Sequence, residues 1–244
     1  MTKPEFRKGT INNLGVHMKF VSHFLATSML LCASHVSIHA DQPNSKTDQT
    51  NHHRYHHTKG GDWFTRIRAL YILPNASSGS VSSIPDSGVG VNPSWTGEFD
   101  FGYMFTKNLG TELVLATSRH TLTGQKTLSG TKIGTSWVLP PTLTLQWRFA
   151  PTAIAQPYLG AGVNYTLFYH EKCSLPGTHL DLKHSWGPAL QAGIDLFFYK
   201  DWLFNLDVKY VWMSTHATLK GAVNGHVNVD INPWIFGFGI GKKW

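Results

Sequence analysis

The stretch that decides the fold is DWFTRIRALYIL, residues 62–73. Trp63, Ile67, Ala69, Tyr71 and Leu73 stand on odd positions, and Arg66 and Arg68 on even ones. Side chains of an extended strand alternate between two faces. The run therefore shows one apolar face with rings at its ends and one face that carries charge.

The same period returns along the chain. SWTGEFDFGYMF (94–105) sets Trp95, Phe99, Phe101, Tyr103 and Phe105 against Glu98 and Asp100. NLGTELVLAT (108–117) sets Leu109, Leu113 and Leu115 against Glu112 and Val114, and PTLTLQWRF (141–149) sets Leu143, Leu145, Trp147 and Phe149 against Gln146 and Arg148. PYLGAGVNYTLFY (157–169) opposes Leu159, Val163, Tyr165 and Leu167 to Asn164. SWGPALQAGIDLFF (185–198) opposes Trp186, Leu190, Ile194, Leu196 and Phe198 to Gln191 and Asp195. WLFNLDVKYVWM (202–213) opposes Trp202, Phe204, Leu206, Val208, Tyr210 and Trp212 to Asn205, Asp207 and Lys209. The chain ends on PWIFGFGIGKKW (233–244), with Trp234, Phe236, Phe238 and Ile240 alternating with Gly237, Gly239 and Gly241.

Runs of about ten residues are the length of a tilted strand crossing a bilayer. Their connections alternate. Short turns fall near Lys107-Asn108, at 151–156 and at 199–201, and long polar loops at 74–92, 121–136, 170–184 and 214–228. Barrels of the outer membrane have short turns on one side and long loops on the other. A soluble sandwich would hide a Val, Ile and Leu face and show the polar face to water. Here Trp and Tyr gather at strand ends, where rings with one polar atom suit the lipid–water boundary. No stretch after residue 40 offers 18 consecutive apolar residues for a helical span, so a closed barrel is the remaining way through a membrane. The expected fold is all-β: an eight-stranded antiparallel transmembrane β-barrel over 62–244. Its lumen takes the inward set Arg66, Arg68, Glu98, Asp100, Glu112, Val114, Gln146, Arg148, Asn164, Gln191, Asp195, Asn205, Asp207 and Lys209.

Composition agrees. Of 244 residues, 14% are charged and 13% aromatic, with nine tryptophans. The net charge of +7 owes three units to residues 1–40, where Lys3, Arg7, Lys8 and Lys19 face Glu5 alone. No later stretch clusters Lys and Arg among aromatics, so no nucleic acid is expected as a partner. Residues 18–40 read as a secretory signal peptide: Lys19, an apolar middle from Phe20 to Cys32, and a cut near Ala40. Residues 1–17 do not belong to such a signal and read as a non-native upstream extension. After cleavage Cys173 stands alone, so no intrachain disulfide is available. Residues 41–61 hold no large aliphatic residue and read as a flexible His-rich periplasmic extension. Its His52, His53, His56 and His57 have helical metal-ligand spacing but no further ligand nearby, so no metal is assigned.

The odd apolar row Val227, Val229, Ile231 gives way to an even row at Trp234. Pro233 has no place in a central strand, so the switch predicts a β-bulge at Asn232-Pro233.

Taken together, FDFGYMFTKNLGTELVLAT, LPPTLTLQWRF, PYLGAGVNYTLFY, SWGPALQAGIDL, DWLFNLDVKY and VDINPWIFGFGIGKKW resemble the outer-membrane protein W (OmpW) family, in order across 62–244. The resemblance implies an outer-membrane barrel of Gram-negative cells and uptake of small hydrophobic molecules that leave sideways into the membrane. It also implies that the barrel-assembly machinery reads the terminal aromatic, Trp244. The sequence departs from the family at Ala116-Thr117-Ser118-Arg119, where the family has ATPF. Lys242 replaces an aromatic, and Lys209 stands at an inward position, where the resemblance to the family implies an apolar lumen.

Eight strands leave an interior that side chains fill, which argues against a general porin. The expected function is a narrow channel or transporter for small hydrophobic molecules, in contact with outer-membrane lipid. The alternative is a non-transporting barrel serving adhesion, host contact or envelope integrity. A bulky inward change such as Gly162→Trp should block uptake if the first holds. No enzyme and no cofactor are expected: His120, His170, His184, His216, His226 and Ser136 are scattered over loops, and no spacing singles out a triad.

Overall fold

The structure, a computed structural model, describes residues 57–244. The upstream extension, the signal peptide and the His-rich segment as far as His56 lie outside the described residues. In chain order the strands are β1 (Trp63–Leu73), β2 (Ser77–Ser78), β3 (Ser87–Val91), β4 (Ser94–Met104), β5 (Leu109–Ala116), β6 (Ser118–Lys126), β7 (Lys132–Leu139) and β8 (Thr142–Arg148). They continue as β9 (Ala155–Cys173), β10 (Thr178–Leu182), β11 (Ser185–Tyr199), β12 (Trp202–Val211), β13 (Ser214–Gly221), β14 (Gly225–Asp230) and β15 (Trp234–Lys243).

Eight of these close a barrel in the order β1-β4-β5-β8-β9-β11-β12-β15. The seam is antiparallel and runs from Phe64↔Lys243 to Leu73↔Trp234. These are the eight runs read from the alternation. Between its ends the barrel keeps charged, polar and small residues inside and shows a band of large apolar residues outside: Ile67, Phe99, Leu145, Leu159, Leu206 and Phe238 are all exposed. In water so broad an apolar band would drive association, whereas in hydrocarbon it costs nothing. Paired rings ring both ends. Tyr71–Trp95 (5.0 Å between centroids), Tyr165–Trp186 (4.3 Å) and Tyr210–Trp234 (4.9 Å) mark the long-loop end, and Trp63–Tyr103 (4.5 Å) the short-turn end.

The four long connections are not plain polar loops. They carry seven further strands. β3, β6 and β7 extend the barrel wall upward beside the top of β9, and β2, β10, β13 and β14 make a separate four-stranded sheet. Val81, Val89, Leu122, Ile133, Leu180, Leu219, Val227 and Val229 are buried between them. Only one residue in two is apolar there, so the segments average to polar and hide their strand character.

The switch of apolar row before Trp234 has a different cause from a bulge. Ser214↔Asp230 above and Tyr210↔Trp234 below keep one unbroken register, so no residue is inserted. Odd positions point inward throughout: Val227, Val229 and Ile231 are buried, as are Ile235 and Gly237. What changes is the surroundings. Beyond the membrane the apolar side of a strand seeks a protein core; within it, the apolar side seeks lipid. Asn232 absorbs the irregularity with a left-handed backbone (φ 38°) while its Oδ1 accepts the Met213 amide at 2.9 Å.

The terminal glycines serve two purposes. A Cβ on Gly237 would meet Leu70 Cδ2 at 3.0 Å, so its absence leaves room for a neighbouring side chain. A Cβ on Gly239 would meet the backbone of Ile67 and Arg68, so this glycine allows close approach of β15 to β1. At the short-turn end Thr58 is buried and donates to Gln156 Oε1 at 2.8 Å.

Candidate functional site

The barrel interior is layered. At the short-turn end Phe64, Met104, Phe197 and Leu203 form an apolar floor. Above it lies a layer of ions. Arg66 holds Asp195 with two nitrogens, at 2.6 Å and 3.2 Å, and a third bond joins it to Glu112. Arg148 reaches the same Asp195 at 2.6 Å, and its guanidinium lies 4.4 Å from the Phe64 ring centre. Arg68 contacts Glu98 (2.7 Å), Asp100 (2.8 Å) and Asp207 (3.4 Å). Lys209 bridges Glu98 (3.0 Å) and Asp207 (2.7 Å). Gln146 and Gln191 donate to Glu112 Oε2 at 2.6 Å and 2.8 Å, and Tyr158 donates to Asp207 at 2.7 Å.

Neighbouring strands dictate part of this. Arg66 stands opposite Asp100 and Arg68 opposite Glu98 in the β1–β4 register. Arg68 uses its facing partner, whereas Arg66 reaches across the lumen. Charges this deep persist only when paired and hydrogen-bonded. Every inward residue named from the sequence is buried, from Arg66 through Val114 and Asn164 to Lys209. They do not line an open bore; most of them interlock and fill it. Lys209 belongs to the ionic layer, so it leaves the space above Val211 apolar. Asn164 stands apart near the wall, donating to Thr142 Oγ1 at 2.8 Å.

Above the ions the inner wall turns apolar: Leu70, Ile72, Val138, Phe168, Val211, Met213 and Ile235 are buried. They continue into a cavity of about 50 Å³ whose lining includes Ile72, Leu122, Val138, Pro140, Phe168, Leu182, Met213, Val229 and Ile235. Ser118, His120, Ser136 and Thr215 are its polar lining residues. The sequence reading missed Ser118, Leu182, Thr215 and Val229 as interior positions. Parity would have found three of them, because Ser118 continues the even inward row of Glu112 and Val114, Thr215 the odd row of Asp207 and Lys209, and Val229 the odd row of Ile235.

Beside the cavity the wall has an unpaired seam. The β5–β8 ladder stops at Val114↔Thr142, and the β6–β7 ladder resumes at Ser118↔Val138. Between them Leu115–Thr117 face Leu139-Pro140-Pro141, whose prolines have no N–H to offer. The freed carbonyls find other partners: Asn164 Nδ2 donates to Pro140 at 3.2 Å, and Thr96 Oγ1 donates to Thr117 at 2.5 Å.

Of the histidines weighed for chemistry, His120 alone enters the cavity lining. It stands on β6, beyond the spanning strand β5. Its Nε2 lies 2.9 Å from Ser118 Oγ, and its Nδ1 3.1 Å from the Asn92 carbonyl. A serine and a histidine thus meet, but a carbonyl orients the ring where a hydrolytic triad would place a carboxylate. Burial lowers the pKa of His120 below the ordinary histidine value, against the raising effect of the Asn92 carbonyl, so the ring is neutral near pH 7. His216 and His226 stack on each other at 5.6 Å on β13 and β14, away from the cavity.

The OmpW family model matches residues 59–244. This chain belongs to the OmpW family. An uncharacterized outer-membrane protein of Sinorhizobium fredii, y4mB, is 37% identical over 183 residues, covering 73% of this chain and 78% of that one. Outer membrane protein W of Escherichia coli is 35% identical over 195 residues, covering 76% and 90%. The crystal structure of OprG from Pseudomonas aeruginosa superposes with a TM-score of 0.73 at 32% identity, covering 77% of this chain and 98% of that one. The barrel described above is therefore that of an outer-membrane protein, a class of barrel whose short turns lie on the periplasmic side and whose long connections lie outside.

Proposed function

We propose that this OmpW-family barrel admits small hydrophobic molecules from outside into the upper cavity and releases them sideways into the membrane. The observation that carries this is the stacking of an apolar cavity on an ionic layer that fills the bore, with the unpaired Leu115–Thr117/Leu139–Pro141 seam beside it. A solute entering at the top meets interlocked charges below and hydrocarbon at the side. Taking an apolar molecule past those ions would mean breaking paired, desolvated charges, whereas the seam has no strand ladder to break.

Size sets a limit. An apolar void of about 150 Å³ holds one benzene-sized ring. The cavity here is smaller, so its walls move apart as a ring enters. Met213, with its flexible thioether, is the lining residue best suited to give way.

Plugging tests the route, but Gly162→Trp is the wrong plug. A Cβ on Gly162 would strike the backbone of Leu143 and Thr144, so the change would spoil the wall. Val138→Trp enlarges a buried cavity residue instead. Uptake of naphthalene by cells carrying the wild-type protein should exceed that of a deletion strain and fall to the deletion level with Val138→Trp. Equal uptake with and without the protein overturns the reading.

A surface-interaction role is the second reading. It is favoured by the extracellular strands, which carry their own apolar core and so present a rigid platform rather than loose loops. The proposed assembly partner is the barrel-assembly machinery, reading the last strand and its exposed Trp244.

A further inference from the structure

Where the wall leaves the membrane between β5 and β9, its outer face changes from apolar to cationic. Leu113 and Leu115 on β5 are exposed, and Arg119, of the same parity on β6, is exposed above them. Arg119 stands opposite Trp137, and Trp137 opposite Tyr169. The two rings stack at 6.3 Å, and the Tyr169 hydroxyl lies 2.6 Å from Thr117 Oγ1. Such rings mark the lipid–water boundary. Two residues further from the membrane, Thr135 stands between Thr121 and Lys172. Arg119 Nη2 donates to Thr135 Oγ1 at 3.5 Å, so its guanidinium leans toward the position that faces Lys172. Lys132, opposite Thr123, continues the exposed row. These cations gather on one face, yet among the described residues none of Arg119, Lys132 and Lys172 is in an ion pair. Glu171, the carboxylate adjoining Lys172 in the chain, is in no ion pair among them either.

We propose that Arg119 and Lys172, set at the Trp137–Tyr169 ring pair, bind the phosphate headgroup of an outer-leaflet lipid. In this class of barrel the end with long connections lies at the outer leaflet. The acyl chains of the lipid then run along Leu113 and Leu115, and its phosphate reaches the cations at the height of the rings. A guanidinium meets phosphate oxygens two at a time, and basic clusters beside a membrane favour anionic headgroups. Arg119 and Lys172 lie two strands and two residues apart, about 12 Å, a gap that two long side chains close on one headgroup. Arg119 ends the run where this chain departs from the family's ATPF, so this cation is the chain's own. The proposal does not depend on the route taken by apolar solutes.

The probe is diphosphoryl lipid A, mixed at increasing fractions into phosphatidylcholine nanodiscs that hold the purified protein. Native mass spectrometry counts the glycolipid that stays bound on release. The wild-type protein should retain it in preference to the same glycolipid stripped of phosphate. Arg119→Phe, which restores the aromatic of the family, and Lys172→Gln should each weaken retention about fivefold, and together about 25-fold. Each substitution is at an exposed position, and heat-modifiable gel mobility shows that the variants fold. Lys220→Gln, which removes an exposed cation on the separate four-stranded sheet, should leave retention unchanged. Equal retention of the phosphorylated and stripped glycolipids overturns the site, as does an equal loss in Lys220→Gln. Displacement of the glycolipid by millimolar inorganic phosphate overturns the lipid as its occupant.

Discussion

Replacing Arg68 by Met removes the cation on which Glu98, Asp100 and Asp207 converge. All four side chains are buried. Lys209 still reaches Glu98 and Asp207, but Asp100 Oδ2 loses its ion pair and Asp100 Oδ1 has no hydrogen-bond partner to fall back on. Breaking a buried pair by removing one side costs about 3–5 kcal/mol, because the stranded charge stays desolvated. Arg68→Met should lower the unfolding free energy of the barrel by that amount. Most of the cost comes from stranded carboxylate, so adding Asp100→Asn should recover part of it. The double variant should be more stable than Arg68→Met alone by at least ~1 kcal/mol, the order of the penalty for a buried carboxylate left without its partner. Reversible urea unfolding in lipid vesicles, followed by tryptophan fluorescence, measures all three proteins. A cost below ~1 kcal/mol, of the size found for solvent-exposed pairs, would mean that water reaches the layer. The bore would then be wet, and the reasoning that it is sealed would fail.

Three other outcomes follow from the geometry. Gly239→Ala places a Cβ against the backbone of β1 and should sharply reduce the folded fraction, whereas Gly237→Ala meets only side-chain atoms and should fold; heat-modifiable gel mobility distinguishes them. Val229→Asp puts an unpaired carboxylate into the extracellular core at a fully buried position. It should expose the long connections to protease while the membrane-embedded strands stay protected. A polar tail added after Trp244 should lower the amount of protein found in the outer membrane, measured by fractionation, and an unchanged amount would count against the proposed recognition of the last strand.

The membrane-spanning part of the fold was legible because lipid makes the simplest pattern. Trp63, Ile67, Tyr71 and Leu73 outside with Arg66 and Arg68 inside leave one solution to the alternation, and the eight runs fell where the strands are. The extracellular strands were not legible, because their apolar residues are fewer and point the other way. Val227 and Val229 lie on the same side of the chain as Asp207 and Lys209, yet one pair faces a dry protein core and the other an ionic layer. Pattern alone does not say which environment an apolar row will meet, and that is why a bulge was expected at Asn232-Pro233 where the register is continuous. The inward residues were legible one by one, but their interlocking was not. Arg66 finds Asp195 across 129 residues of sequence, a contact that depends on closure of the barrel. The cavity went unseen for the same reason, since Ser118, Leu182 and Val229 meet only when three connections fold over one end.

The most direct test of a sealed bore beneath a side-opening cavity is to locate a solute. Crystals grown from lipidic mesophase and soaked in iodobenzene would show the iodine by anomalous scattering. The account predicts a peak among Val138, Pro140, Phe168 and Met213, with none at the level of Arg66, Arg68 and Asp195. A peak within the ionic layer or at the Phe64–Leu203 floor would contradict it.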